Sequence, residues 1–156
     1  MQNVSLATFD LLSALAETPS QVSKSIEGLS NERLRAKHST GQFSILENIC
    51  HLRDIEIEGY TVRITRILTE EHPFLPDIDG SLLAVERDYN SQNVGDALHS
   101  FTSARNQNIA TLGNLSLEQF AREGTLQGVG TITLSRLVLI MHEHDEGHLH
   151  DLKRLR

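Results

Sequence analysis

The sequence predicts an all-α protein, a four-helix bundle, and three observations carry that expectation. Apolar residues recur at three- and four-residue spacing through four long segments. Capping residues, proline and glycine gather where those segments begin, break and end. Neither an internal repeat nor a low-complexity stretch is present, and short connections between amphipathic helices favour a bundle. A chain of 156 residues fits one domain spanning 1–156. With 4% aromatic residues and no Trp, its core must be built mainly from Leu, Ile, Val and Ala.

The first helix follows from Leu6, Phe9, Leu12, Leu15 and Ala16 and is expected to end near Glu17, before Thr18-Pro19-Ser20. Pro19 then either kinks that helix or opens a second segment through Val22 and Ile26. Ser30 to Leu34 predicts one short turn, and Lys37 to Gln42 a loop. Ser44-Ile45-Leu46-Glu47 has the form of a capping box and starts the second helix. Ile45, Ile49, Leu52, Tyr60, Ile64 and Ile67 carry that helix to about Leu68. Ile55 and Val62 add apolar surface on another face, as expected of a central helix or one at a subunit contact.

Pro73, Pro76 and Gly80 mark residues 70–80 as a connection, followed by a short helix over Ser81 to Tyr89. Asn93 caps a third long helix through Ala97, Leu98, Phe101, Ile109 and Leu112, closed by Gly113. Ser116 to Phe120 is a further short turn. Gly124, Gly128 and Gly130 mark an irregular loop with room for a small extended pair. Thr133 caps the last helix, whose stripe runs Leu134, Leu137, Val138, Met141, Leu152 and Leu155.

A net charge of −7 disfavours nucleic-acid binding, which needs a basic surface to neutralise phosphates. Cys50 is the only cysteine, so cysteine can neither form an internal disulfide nor dominate a metal site. Met1-Gln2-Asn3-Val4-Ser5 has no charged stretch leading into an apolar one, and no run reaches membrane-span length. A soluble, cytoplasmic protein with no membrane partner is the expectation.

Eight histidines are present, and four of them, His142, His144, His148 and His150, fall within Met141–Asp151 on the last helix. The apolar stripe continues through His144 or Asp145 and then His148, while His142 and His150 fall off it. His144 and His148 are spaced i, i+4, which stacks two imidazoles on one face and lets them share a metal. Two inward imidazoles facing each other each need a polar partner, and a cation satisfies both. A third ligand is needed for an open catalytic site. His51, on a face shared with Glu47, Asp54 and Glu58, is the best candidate. A carboxylate one turn away can orient its ring or take part in catalysis. Asp145 is expected at the helix surface. His144-Asp145-Glu146-Gly147-His148 is not the metalloprotease HExxH, because Asp145 stands where that motif needs Glu. A di-iron bundle is also ruled out, because it requires two Glu-x-x-His repeats.

Gly41-Gln42-Phe43-Ser44-Ile45-Leu46-Glu47-Asn48-Ile49-Cys50-His51-Leu52 resembles the helix-2 signature of the DinB-like (YfiT-like) superfamily of metalloenzymes. Phe43 stands where many members carry Trp. His144-Asp145-x-x-His148-x-x-x-Leu152 is similar to that family's closing His-x-x-x-His, and Gly130 to Leu134 to its lead-in. The resemblance implies a bundle with a three-histidine site made by His51, His144 and His148. It also implies zinc or nickel as the divalent metal and a homodimeric assembly. Hydrolysis, or transfer and isomerisation dependent on a low-molecular-weight thiol acting on a small-molecule substrate, is the activity it suggests. Glu47 is the candidate for orienting a ligand or acting as general base, with its capping-box role as the alternative. A non-catalytic metal-binding bundle and a plain helical interaction protein are the alternatives. Because imidazole binds metal only when neutral, affinity is expected to weaken between about pH 6 and pH 5.

Overall fold

Four capping side chains set the starts of the long helices in the computed structural model, which describes residues 5–156. The first four residues, and with them most of the N-terminal segment read above, lie outside the described residues. Ser5 Oγ accepts from Thr8 N at 3.2 Å and opens α1 (Leu6–Ile26). Ser44 Oγ accepts from Glu47 N at 3.1 Å and opens α3 (Ile45–Asp54). The short α2 (Asn31–Arg35) precedes it. Beyond α3 the chain widens into a π-turn over Ile55–Tyr60 before resuming as α4 (Thr61–Thr69). The strand β1 (Phe74–Leu75), the helix α5 (Gly80–Glu86) and a 3₁₀ turn at Tyr89–Ser91 lead to α6 (Val94–Gly113). Asn93 caps α6, its Oδ1 accepting from Asp96 N at 2.9 Å. After α7 (Leu117–Phe120), β2 (Glu123–Leu126) and β3 (Gly130–Thr133) come the Thr133 cap and α8 (Leu134–Leu155).

The chain is a four-helix bundle with a small sheet at one end. α1 packs on α6 and α8, and α3 packs on the same two helices. Helices consecutive in sequence, α1 and α3, therefore lie across the diagonal, joined by the long segment that carries α2. α6 and α8 occupy the other diagonal, joined by α7 and the β2–β3 hairpin. β2 pairs antiparallel with β3 and parallel with β1, in register Phe74 to Thr125 and Leu75 to Leu126. Thus the loop read at Gly124 to Gly130 is a hairpin, and β1 is a strand that two residues are too few to announce.

Three local expectations need correction. α1 does not end near Glu17 but runs through Pro19 to Ile26. Proline cannot donate to the carbonyl four residues back, which frees Leu15 O. Arg105 Nη1 fills that vacancy, donating to Leu15 O at 2.9 Å. The capping box at Ser44 forms only by half, because the Glu47 carboxylate turns to Lys37 Nζ at 3.1 Å. A complete box closes instead at Ser116 and Gln119. Asp145, expected at the surface, is 1% exposed and sits in the centre of the α8 stripe.

The reason lies in how the core is layered. One apolar cluster gathers Leu12, Leu15, Ile55, Leu112 and Met141. A second gathers Val22, Leu52, Phe101, Leu149 and Leu152. Four buried polar residues form a layer between the two: Thr18 on α1, Glu56 in the π-turn, Arg105 on α6 and Asp145 on α8. Arg105 donates from Nε and Nη2 to Glu56 at 2.9 and 2.8 Å, and from Nη1 and Nη2 to Asp145 at 2.6 and 3.0 Å. Thr18 Oγ1 donates to Asp145 at 2.6 Å and Asn108 Nδ2 to Glu56 at 2.8 Å. The π-turn starts at this level, so Glu56 belongs to the irregular segment and still faces inward.

Candidate metal centre

His51 comes from the second turn of α3, and His144 and His148 come one turn apart on α8. α3 and α8 are packed neighbours, and that contact brings the three rings together. One ligand atom from each lies within 4.8 Å of the others. His51 Nε2 is 3.1 Å from His144 Nε2. Two nitrogens bound to one tetrahedral zinc at ordinary bond lengths sit about 3.3 Å apart, so this pair already has the separation of two ligands. Ring centroids are 5.2 Å apart for His51 and His144, 4.8 Å for His51 and His148, and 4.5 Å for His144 and His148.

The orientation of His148 is set by a residue the sequence did not single out. Asn48 Nδ2 donates to Ser44 O at 2.9 Å, which fixes its amide and presents Oδ1 to His148 Nδ1 at 2.7 Å. Nδ1 therefore carries the proton, and Nε2 keeps its lone pair for the cluster. Asn48 lies one turn before His51 on the same helix, so its spacing was a usable signal. Gly80 supports His51 in another way. A Cβ there would collide with His51 Cε1 and lie 2.6 Å from Nδ1, so only glycine lets the start of α5 close on the ring. Phe43 packs against the same imidazole, with centroids 5.5 Å apart.

The carboxylates expected around His51 go elsewhere. Asp54 accepts from Arg53, Arg87 and Tyr89. Glu58 pairs with Arg87, and Glu47 with Lys37. None of them hydrogen-bonds to an imidazole of the cluster. Cys50, next to His51, is buried in the other direction against Tyr89 O at 3.8 Å, and burial pushes its thiol up to about 11. His142 is half-buried and His150 exposed, and neither joins the cluster.

Burial, reinforced by the neighbouring imidazoles, holds His51 down at about 4 and His144 at about 2. Burial lowers His148 as well. All three rings are therefore neutral at pH 7, the form that binds metal. His51 Nδ1 and His144 Nδ1 are enclosed and have no hydrogen-bond partner. Bound to one cation through both Nε2 lone pairs, each ring would carry its proton on Nδ1, and three neutral imidazoles whose ligand atoms lie within 4.8 Å of one another are a donor set that fits a divalent metal.

Above His51 and His144 opens a cleft of about 380 Å³. Its walls come from the π-turn, from α4 and from the hairpin tip around Gly128, where φ is +80°. A volume of that size suits a small-molecule ligand.

A bundle whose crossing helices bring neutral imidazoles to the floor of a cleft defines a histidine-cluster helical protein. The profile of the DinB superfamily matches residues 14–152, and the chain belongs to that family. The resemblance read from the α3 and α8 motifs is thereby borne out. An Oceanobacillus iheyensis relative named "Putative metal-dependent hydrolase OB0413" is 25% identical over 134 residues, 85% of this chain and 76% of the relative. YfiT from Bacillus subtilis, described as a probable metal-dependent hydrolase with an unusual four-helix bundle topology, is similar in structure with a TM-score of 0.89. That likeness has 20% identity over 99% of this chain and 89% of the other, and it is a likeness of fold. No helix among the described residues is long and apolar enough to cross a membrane.

Proposed function

We propose that the protein is a metal-dependent hydrolase whose single divalent ion, zinc or nickel, is held by His51, His144 and His148. The observation that carries this reading is the convergence of three neutral imidazoles on one point beneath an open cleft. The name of the Oceanobacillus relative agrees with it. Such an ion supplies Lewis-acid polarisation of a carbonyl and acidifies water. The chain's own residues have distinct tasks around it. Asn48 keeps His148 in the tautomer that offers Nε2, and Gly80 lets His51 stand upright against α5. Tyr60, 3% exposed and edge-on to His144 at 5.9 Å, forms part of the cleft wall. Burial pushes its phenol well above the usual range, so it stays protonated and able to donate. Glu47, bonded to Lys37, is read as securing the start of α3 rather than as a base.

The test uses protein purified without a histidine tag. His51→Ala, His144→Ala and His148→Ala should each lose most of the bound metal by elemental analysis, and His142→Ala, His150→Ala and Glu47→Gln should keep it. Metal retained by His51→Ala would refute the three-ligand assignment. Metal-loaded wild type is then screened with esters, amides and electrophiles paired with low-molecular-weight thiols. Turnover only in the presence of a thiol would replace hydrolysis by thiol transfer at the same centre.

A further inference from the structure

The cleft over the histidines contains a cation without a carboxylate. Arg63, on α4, is 8% exposed. Its Nη2 donates to Pro76 O at 3.1 Å, and its guanidinium carbon stands 5.7 Å from the centroid of the Tyr60 ring. No Asp or Glu among the described residues forms an ion pair with it. The other deeply buried arginine, Arg105, is held by two carboxylates. A buried guanidinium loses hydration that one carbonyl and an aromatic face replace only in part, since it carries five N–H donors. The free donors of Arg63 are not sealed away. Among fully enclosed side-chain nitrogens and oxygens of the described residues, those without a partner belong to His51 and His144 alone. Arg63 lines the same cleft as those two histidines, so its unbonded N–H groups open toward it. Asp77 lines the cleft too, but it is exposed and makes no ion pair with Arg63. Between these charged groups the wall is apolar, formed by Ile55, Ile78, Leu126, Val129 and Ile140.

We propose that Arg63 is the anchor for a substrate anion. The cleft then takes a small molecule with an apolar body and a carboxylate or comparable oxyanion, seated on the guanidinium with its reactive end toward His51 and His144. Guanidinium is suited to this because its fork of donors matches a planar carboxylate in two parallel hydrogen bonds. The position of the reactive end rests on the metal-centre reading above; the anchor itself does not.

Hexanoate, with hexanol as its neutral counterpart, is the probe, titrated calorimetrically into the zinc-loaded protein. Wild type should bind hexanoate, and Arg63→Gln should weaken that binding by about tenfold or more. Arg63→Lys, which keeps the charge, should lose less than Arg63→Gln. Hexanol should bind all three alike. Equal hexanoate affinity in wild type and Arg63→Gln, no hexanoate binding by wild type, or a hexanol affinity that follows residue 63 would each overturn the anchor. If Arg63→Gln does not fold, potassium chloride decides with wild type: hexanoate affinity must fall as salt rises while hexanol affinity holds, and a salt-independent hexanoate affinity overturns the proposal. Metal content is measured on the same samples. Protein that binds hexanoate through residue 63 but holds no zinc sinks the metal-centre reading and leaves the anchor standing. Zinc-loaded protein indifferent to residue 63 does the reverse.

Discussion

The imidazoles of His51, His144 and His148 are moved from their ordinary titration range by burial first, and those of His51 and His144 by neighbouring imidazoles second. The sign of the consequence is fixed. A free histidine takes up its proton near pH ~6.5, while in the fold His51 waits until about 4 and His144 until about 2. Between those limits the unfolded chain binds more protons than the native one, so stability falls as pH falls. The metal-free protein should keep full stability above about pH 6.5 and lose it progressively toward pH 4. At about 1.4 kcal/mol per pKa unit, His51 alone contributes on the order of 3 kcal/mol. Urea midpoints of metal-free wild type between pH 7 and pH 4.5 check this, with His51→Gln as the reference. A wild-type profile that parallels the variant's would show that His51 is not held neutral by its surroundings. The same depression lowers the window for metal loss below the pH 6 to 5 range that free imidazole suggests, because protons compete for these nitrogens only once the fold lets them in.

At the scale of elements, one buried cation ties the long helices together at a single level. Arg105 on α6 reaches the Leu15 carbonyl that Pro19 leaves free on α1, Glu56 in the π-turn and Asp145 on α8. Removing it would strand two carboxylates that are each 1% exposed. Arg105→Met is therefore expected to cost about 3–5 kcal/mol. The triple change Glu56→Gln, Arg105→Met, Asp145→Asn should recover a large part of that loss, since no uncompensated charge remains. Chemical denaturation measures both, and a triple variant no more stable than Arg105→Met would mean that shape, not charge, sets the cost. This layer also marks the limit of what the sequence conveys. Caps at Asn93 and Thr133 and the stripe of α8 were legible because each depends on residues a few positions apart. His144 and His148 were legible because a polar pair on an apolar stripe must be satisfied, and His51 through the resemblance of the α3 motif. Glu56 in the π-turn, the Leu15 carbonyl that Pro19 frees and the buried Asp145 all meet at Arg105, which is distant in sequence from all of them. A clue lay in α6 itself, where Arg105 occupies the stripe between Phe101 and Leu112, but its partners required the fold.

At the scale of the whole molecule, the described residues leave apolar surface that they do not cover themselves. Val62, on α4, is 44% exposed, and Ile57, in the π-turn, 41%. The segment that follows cannot cover them, since α5 has no buried residue and its own Leu82 and Val85 are 52% and 80% exposed. Phe74 and Val129, at the sheet, add to the same inventory at 54% and 61%. Exposed apolar groups gathered into one contiguous patch are a mark of an interface. A two-fold dimer is the closed arrangement most often adopted, and it lets one self-complementary patch cover itself. We therefore expect a homodimer through the π-turn and α4. Light scattering on the size-exclusion peak, at micromolar concentration, should give about twice the 17.4 kDa of one chain, and a mass equal to one chain refutes the dimer. Val62→Asp then asks which face is used. Placed at the contact, two buried carboxylates related by the symmetry axis would face each other without a partner, and the variant should run as a monomer with its metal content intact. A Val62→Asp protein that remains dimeric moves the interface to another apolar surface, of which the exposed Leu6 and Phe9 on α1 are the next to test.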